Sequence, residues 1–138
     1  MERTLAIIKP DAVRRGFTGD IIKRVEASGL KVHAMRLRHL ARAQAEAFYE
    51  VHRARPFYGS LCEYMSSGPV VVMALAADGA IARWRELMGA TDPAKAAAST
   101  IRKDFGIDVE QNAVHGSDAP ETAAYEIAFF FSSLDIVG

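Results

Sequence analysis

Val70-Val71-Val72-Met73-Ala74-Leu75-Ala76-Ala77 is an unbroken apolar run, bracketed by Ser67-Gly68-Pro69 before it and Asp78-Gly79 after it. Both flanks are turn signals. The run is rich in β-branched residues at its start and too short for a free-standing helix between breakers, so Val70 to Leu75 reads as the most hydrophobic strand of the chain. The whole stretch to Ala77 is also far too short to span a bilayer.

Three further strands can be read around it. Thr4-Leu5-Ala6-Ile7-Ile8 is a compact apolar run ended by Lys9-Pro10-Asp11, a buried strand with a lysine at its C-terminal end. From Lys31 to Leu40, Met35 and Leu37 alternate with Arg36 and Arg38, the pattern of a half-buried strand whose arginines and His39 face solvent. A short apolar step, Ala113-Val114, leads into His115 as the fourth.

Helical stripes fill the gaps. Ile21, Ile22 and Val25 mark one helix, with Gly29 placed to end it. Ala45, Phe48 and Val51 stripe a second, with Tyr49 and His52 on its flanks, and Leu61, Tyr64 and Met65 a short third. Ile81, Trp84, Leu87 and Met88 define another, closed by Gly89, and Thr91-Asp92-Pro93 suits a capped turn. The resulting order is β-α-β-α-α-β-α-β-α. It matches an α+β fold: the ferredoxin-like split βαβ, a four-stranded, mainly antiparallel sheet with added helices, packed on one face. A small parallel α/β domain is the alternative. No linker, repeat or low-complexity tract divides residues 1–138, which predicts one domain.

Lys plus Arg and Asp plus Glu both number 17, so no bulk basic charge points to nucleic acid. The strands are aliphatic, without the interleaved aromatic and basic residues of an RNA-binding sheet. Cys62 is the only cysteine, and Met1-Glu2-Arg3 leads directly into a strand; both predict a soluble, cytoplasmic protein. The glycine-rich phosphate loops, the protein-kinase catalytic loop, zinc spacings and a serine nucleophile elbow are all missing. Any phosphate chemistry must rest on scattered cations.

One local constellation suggests such chemistry. After His115-Gly116-Ser117, the residues Asp118-Ala119-Pro120-Glu121 read as a helix start, with Asp118 as cap and Glu121 completing a capping box. On that helix Ala123, Ile127, Phe130 and Phe131 form one apolar stripe, and Glu126 lies along it. A carboxylate facing a core needs a partner. Strand, turn and helix can fold back so that Glu126 meets the imidazole of His115. A carboxylate on one ring nitrogen fixes the tautomer and leaves the other as a nucleophile. Cations at suggestive points are Lys9, ending the first strand, Arg85 beside Trp84, and Arg102 after Ile101. Phe57, after Pro56, can stack a flat ring. His33 and His52 show no partner in sequence and read as structural.

Together these stretches resemble the nucleoside diphosphate kinase family. The resemblance rests on Asn112-x-x-His115-Gly116-Ser117-Asp118 and on Ile8-Lys9-Pro10-Asp11-Ala12-Val13. It extends to Arg55-Pro56-Phe57, Ser67-Gly68-Pro69, Gly89-Ala90-Thr91-Asp92-Pro93 and Thr100-Ile101-Arg102, in the family's order, from Arg3 to about Phe131. It implies that His115 takes the γ-phosphoryl group from a nucleoside triphosphate and passes it to a nucleoside diphosphate. Glu126, supported by Ser117, orients the ring. Lys9, Tyr49, Arg85, Thr91 and Arg102 match positions that hold phosphates, Lys9 and Asn112 those near the ribose hydroxyls, and Phe57 the aromatic under the base. Mg²⁺ is implied, held mainly by the nucleotide's phosphates and not by a protein cage. Assembly as a homo-oligomer is implied as well, with a tetramer built from dimers favoured by the short tail. Ser99 departs from the pattern, standing where a glycine is common before Thr-Ile-Arg. A non-catalytic nucleotide-binding module of the same fold would have lost part of this set, yet every matched position is occupied.

Overall fold

Alternation and its absence both have a simple physical source in this sheet. The computed structural model, which describes residues 1–138, has strands β1 (Glu2–Ile8), β2 (Lys31–Arg38), β3 (Val70–Ala77) and β4 (Val114–Gly116). They lie in the order β2-β3-β1-β4, every neighbouring pair antiparallel. The helices are α1 (Pro10–Arg14), α2 (Thr18–Ala27), α3 (Arg42–Phe48), α4 (Tyr58–Met65), α5 (Ala80–Met88), α6 (Ile101–Phe105) and α7 (Pro120–Phe130). β3 is buried at every position and β1 from Thr4 onward, because apolar layers cover both faces of the sheet. Leu5, Ile7, Val72 and Ala74 pack against Phe48 of α3, Met65 of α4 and Ile127 of α7. Ala6, Ile8, Val71 and Met73 pack on the opposite face against Ile21 and Val25 of α2 and Trp84 of α5.

The expectation of helices on one face is thus corrected. The crossover helices α2 and α5 share a face, as a split βαβ requires, and the added α3, α4 and α7 cover the other. An unbroken apolar run such as Val70–Ala77 needs that second layer, since half its side chains would otherwise face water.

Three local readings also change. Met35 and Leu37 share the face of Met73 and Val71 by register, yet they are 53% and 69% exposed. Their strand is the sheet edge, beyond the cover of the helices. Val51 is exposed because α3 stops at Phe48 and the chain tightens into a 3₁₀ turn, Glu50–His52. The tighter step swings Val51 off the stripe. Pro10 opens a one-turn helix, α1, where the sequence pattern shows only a strand end. No helix is long and apolar enough to cross a membrane.

Candidate active site

His115 sits in the three-residue strand β4, opposite Ile7 of β1. Its side chain points to the face covered by α3 and α7, edge-on to Phe48 and Tyr49 at ring-centroid distances of 5.6 and 6.4 Å. Its carbonyl accepts a 3.0 Å bond from Trp84 Nε1 of α5. Gly116 lets that helix approach so closely: a Cβ there would lie 2.6 Å from Trp84 Cδ1 and 2.7 Å from Met88 Cε. The glycine serves helix packing as much as access for a ligand.

Glu126 reaches His115 as the apolar stripe of α7 demands. Glu126 Oε1 lies 3.0 Å from His115 Nε2 and accepts a 2.8 Å bond from Ser117 Oγ. Ser117 Oγ is fixed in turn by the Leu5 amide, at 3.1 Å. Burial raises the Glu126 carboxyl, but the bond and charge of His115 and the bond from Ser117 outweigh it, leaving the group below the usual carboxylate value. An ionised carboxylate on Nε2 makes that nitrogen the N–H donor and leaves Nδ1 with its lone pair.

The helix start differs from its sequence reading. Ala119, not Asp118, is the N-cap of α7, and Thr122 Oγ1 accepts from the Ala119 amide at 3.0 Å. Pro120 at the first position begins the helix one residue later. Asp118 instead takes a 2.8 Å ion pair from Arg85.

The remaining matched residues form two groups. Lys9 Nζ donates to Asn112 Oδ1 at 2.8 Å, and Asn112 Nδ2 donates to the Thr91 carbonyl at 3.0 Å. Arg85, Thr91, Arg102, Gly116 and Asp118 line a pocket of about 190 Å³ beside β4. Arg102 is buried and holds the Gly89 and Val114 carbonyls at 3.0 and 2.9 Å. Phe57 is not drawn into these groups. It is 46% exposed, with its ring 5.4 Å from His52, whose own ring stacks on Tyr49 at 6.4 Å. His52, read from sequence as structural, links the outer aromatic to the inner one.

The electrostatics set this region apart. Lys9 and Arg102 are both buried, and both bond only neutral acceptors. Burial, and then Arg102, bring the Lys9 ammonium down to about 8, with Asp11, Glu110 and Asp108 pulling the other way. Burial, and then Arg85, bring Arg102 down to about 10. Burial, and then Glu126, push the Tyr49 hydroxyl up, so it stays a neutral donor. Buried cations without a carboxylate of their own favour an incoming anion. Arg102 Nε and the Tyr49 hydroxyl are also buried without partners, and each such atom costs about 1–3 kcal/mol until a ligand satisfies it.

Sequence reasoning passed over Asp11. Its carboxylate is 1% exposed and accepts from the Ala113 amide and from Arg15 Nη2, each at 3.1 Å, and from the Tyr64 hydroxyl. Ala113 is left-handed at φ +74°, a conformation that costs a non-glycine residue about 1–2 kcal/mol. Ser99 shares this geometry at φ +71°, which explains why glycine suits that position.

The profile described as "Nucleoside diphosphate kinase" matches residues 2–136. The chain belongs to the nucleoside diphosphate kinase family. A nucleoside diphosphate kinase of Desulfatibacillum aliphaticivorans is 62% identical over 138 residues, covering 100% of both chains. One from Geotalea uraniireducens is 58% identical, over 99% of this chain and 100% of its own. Among solved structures, the Aquifex aeolicus enzyme is 47% identical with TM-score 0.95, covering 99% of each chain. The Halobacterium salinarum enzyme, solved in complex with CDP, is 40% identical with TM-score 0.95, covering 99% of this chain and 91% of that one. The activity that goes with this membership is nucleoside diphosphate kinase, a phosphotransferase acting on nucleotides. The fold neighbours share the antiparallel α+β sheet described above.

Proposed function

We propose that the chain moves the γ-phosphoryl group of a nucleoside triphosphate, mainly ATP, to nucleoside diphosphates through a phosphohistidine at His115. The observation that carries this reading is the 3.0 Å contact of His115 Nε2 with Glu126, which leaves Nδ1 free to attack. In the first half-reaction the Nδ1 lone pair forms a bond to the γ-phosphorus. The bond to the bridging oxygen breaks, and its electron pair leaves with the nucleoside diphosphate. Glu126 stabilises the positive ring that results. In the second half-reaction a terminal phosphate oxygen of the acceptor attacks the same phosphorus, and the electron pair of the P–N bond returns to Nδ1.

Charge in such a transfer spreads over the equatorial oxygens, so positioned cations carry much of the catalysis. Lys9, Arg85 and Arg102 supply them, and the neutral Tyr49 hydroxyl and Thr91 add donors. Lys9 and Asn112 serve the ribose hydroxyl side, and the exposed Phe57 offers a ring on which any base can stack.

No group of three or more His, Cys, Asp or Glu gathers here as a metal cage, and Asp118 is the one carboxylate lining the pocket. That donor set suits Mg²⁺ carried on the nucleotide. Bound Mg²⁺ would supply neutralisation of phosphate charge, and Asp118 is the pocket carboxylate that could contact it. The exposed apolar edge of β2, Met35 and Leu37, supports association into a homo-oligomer, a tetramer built from dimers. The single buried cysteine suits a reducing cytoplasm.

Brief incubation with ATP and Mg²⁺, followed by intact mass at mildly alkaline pH, tests the proposal. One added phosphoryl group, discharged by GDP and missing from His115→Ala, is the expected result. An adduct on His115→Ala, or none on the native protein, would reject it.

A further inference from the structure

The turn before β4 connects the two halves of the site. Asn112, which receives Lys9 Nζ, precedes the left-handed Ala113, and Val114 and His115 follow directly. The Ala113 carbonyl accepts from the Lys9 amide at 2.8 Å, and its amide donates to Asp11 Oδ2 at 3.1 Å. The turn is thus gripped at both ends by the segment Lys9–Asp11. Ala113 is fully buried, so water cannot replace either bond.

We propose that Asp11 is a positioning residue for phosphoryl transfer: its carboxylate holds the strained Ala113 turn that sets Lys9 and Asn112 beside His115. The inference rests on the roles given to Lys9 and His115 above. The carboxylate is itself held from three sides. Tyr64 of α4 donates its hydroxyl to Oδ1, and Arg15 joins the Ala113 amide at Oδ2. A charged acceptor with two oxygens can serve all three donors; a neutral amide offers one oxygen and adds donors of its own. Its charge also acts on Lys9. The charged groups facing the Lys9 ammonium are Arg102 on one side and Asp11, Glu110 and Asp108 on the other, so removing Asp11 leaves the ammonium easier to deprotonate.

The test is Asp11→Asn, measured as kcat/KM against pH with thermal melting alongside. The expected result is a loss on the order of tenfold or more, the range typical of a supporting partner. The alkaline limb of the profile should also move to lower pH. Adding Ala113→Gly, which takes the left-handed conformation without strain, should recover part of the rate but leave the limb displaced. Tyr64→Phe, which leaves the Ala113 bond in place, should cost about twofold or less in rate.

Native kcat/KM in Asp11→Asn with an unmoved limb would overturn the inference. So would an equal loss in Tyr64→Phe with no recovery from Ala113→Gly, since the network would then be scaffold alone. If Asp11→Asn does not fold, the double variant with Ala113→Gly carries the same readouts, and its failure to fold also decides against a positioning role. Lys9→Ala is measured in parallel. Loss there with native rates in Asp11→Asn rejects only the role of Asp11, while full transfer in Lys9→Ala rejects the reading beneath it and the inference with it.

Discussion

At one edge of the sheet β4 is three residues long, and side chains hold its backbone: Trp84 bonds the His115 carbonyl and Arg102 that of Val114. At the other edge β2 runs for eight residues, with Met35 and Leu37 exposed and a bulge between Val32 and Ala34. The short edge is dense with buried polar groups, most of them committed to named partners while Arg102 Nε and the Tyr49 hydroxyl stay unpaired, and His115 stands among them. The long edge has no such commitments on its outer apolar positions. The difference shows how one sheet divides its labour. Precision of the kind transfer chemistry needs comes from donors and acceptors converging on a few backbone atoms, whereas an open strand edge is suited to contact with another chain.

Substitutions can break this contrast, starting where the effect should be greatest. His115→Ala removes the proposed nucleophile and should lower kcat by on the order of 10³-fold or more while the melting temperature stays near native. Steady-state turnover within tenfold of native would sink the assignment. Glu126→Gln keeps a hydrogen bond but not the charge that fixes the ring tautomer, so phosphorylation of the histidine should slow by about 10–100-fold. Rapid-quench measurement of the first half-reaction checks it, and an unchanged rate would mean another group orients His115.

The next effect concerns pH. Lys9 loses its proton near 8, well below the ordinary lysine value of 10.5. If its charge serves the reacting phosphates, kcat/KM should fall as pH rises through about 8. Stability should move the opposite way. Between about 8 and 10.5 the unfolded chain binds the proton that the folded Lys9 has released, so this group's contribution to stability rises with pH across that window. Activity and denaturation profiles over that range test both signs, and Lys9→Ala should flatten both.

Two smaller effects compare the edges directly. Gly116→Ala forces a methyl against Trp84 and Met88 and should destabilise by about 1–3 kcal/mol, read by denaturant titration. Leu37→Lys, at an exposed position of β2, should change the stability of an isolated chain by no more than about 0.5 kcal/mol. Its visible effect should be on association, measured by sedimentation. If the two substitutions cost the same in an isolated chain, the contrast between the edges fails.

Much of the site was legible because it is written in short-range periodicities. Glu126 fell on the apolar stripe of α7, four residues from Phe130, so a partner could be demanded of it before any fold was known. Errors arose where local rules met competing tertiary partners. Asp118 is a good cap by type, yet Arg85 takes its carboxylate, Ala119 stands at the N-cap, and Thr122 accepts from the Ala119 amide. Met35 and Leu37 alternate as a half-buried strand should, but burial needs a covering helix and none reaches them. Phe57 was open to stacking by type, but its exposure came from the break at Pro56 and the turn around it.

The chain's pattern of apolar runs and stripes, with its turn residues, did not specify the short helices α1 and α6 but was sufficient for four strands, the helices α2, α3, α4, α5 and α7, and the pairing of His115 with Glu126. These rest on forces acting within a strand or a few helical turns. Only the tertiary structure decided which distant groups meet: Lys9 with Asn112 across 103 residues, Asp11 with the Ala113 amide across 102, and Arg85 with Arg102 at one pocket. β1 lies beside β4 in the sheet, and that adjacency brings the two ends of the chain together. No periodicity in sequence records it, because strand order is settled by packing of the whole core.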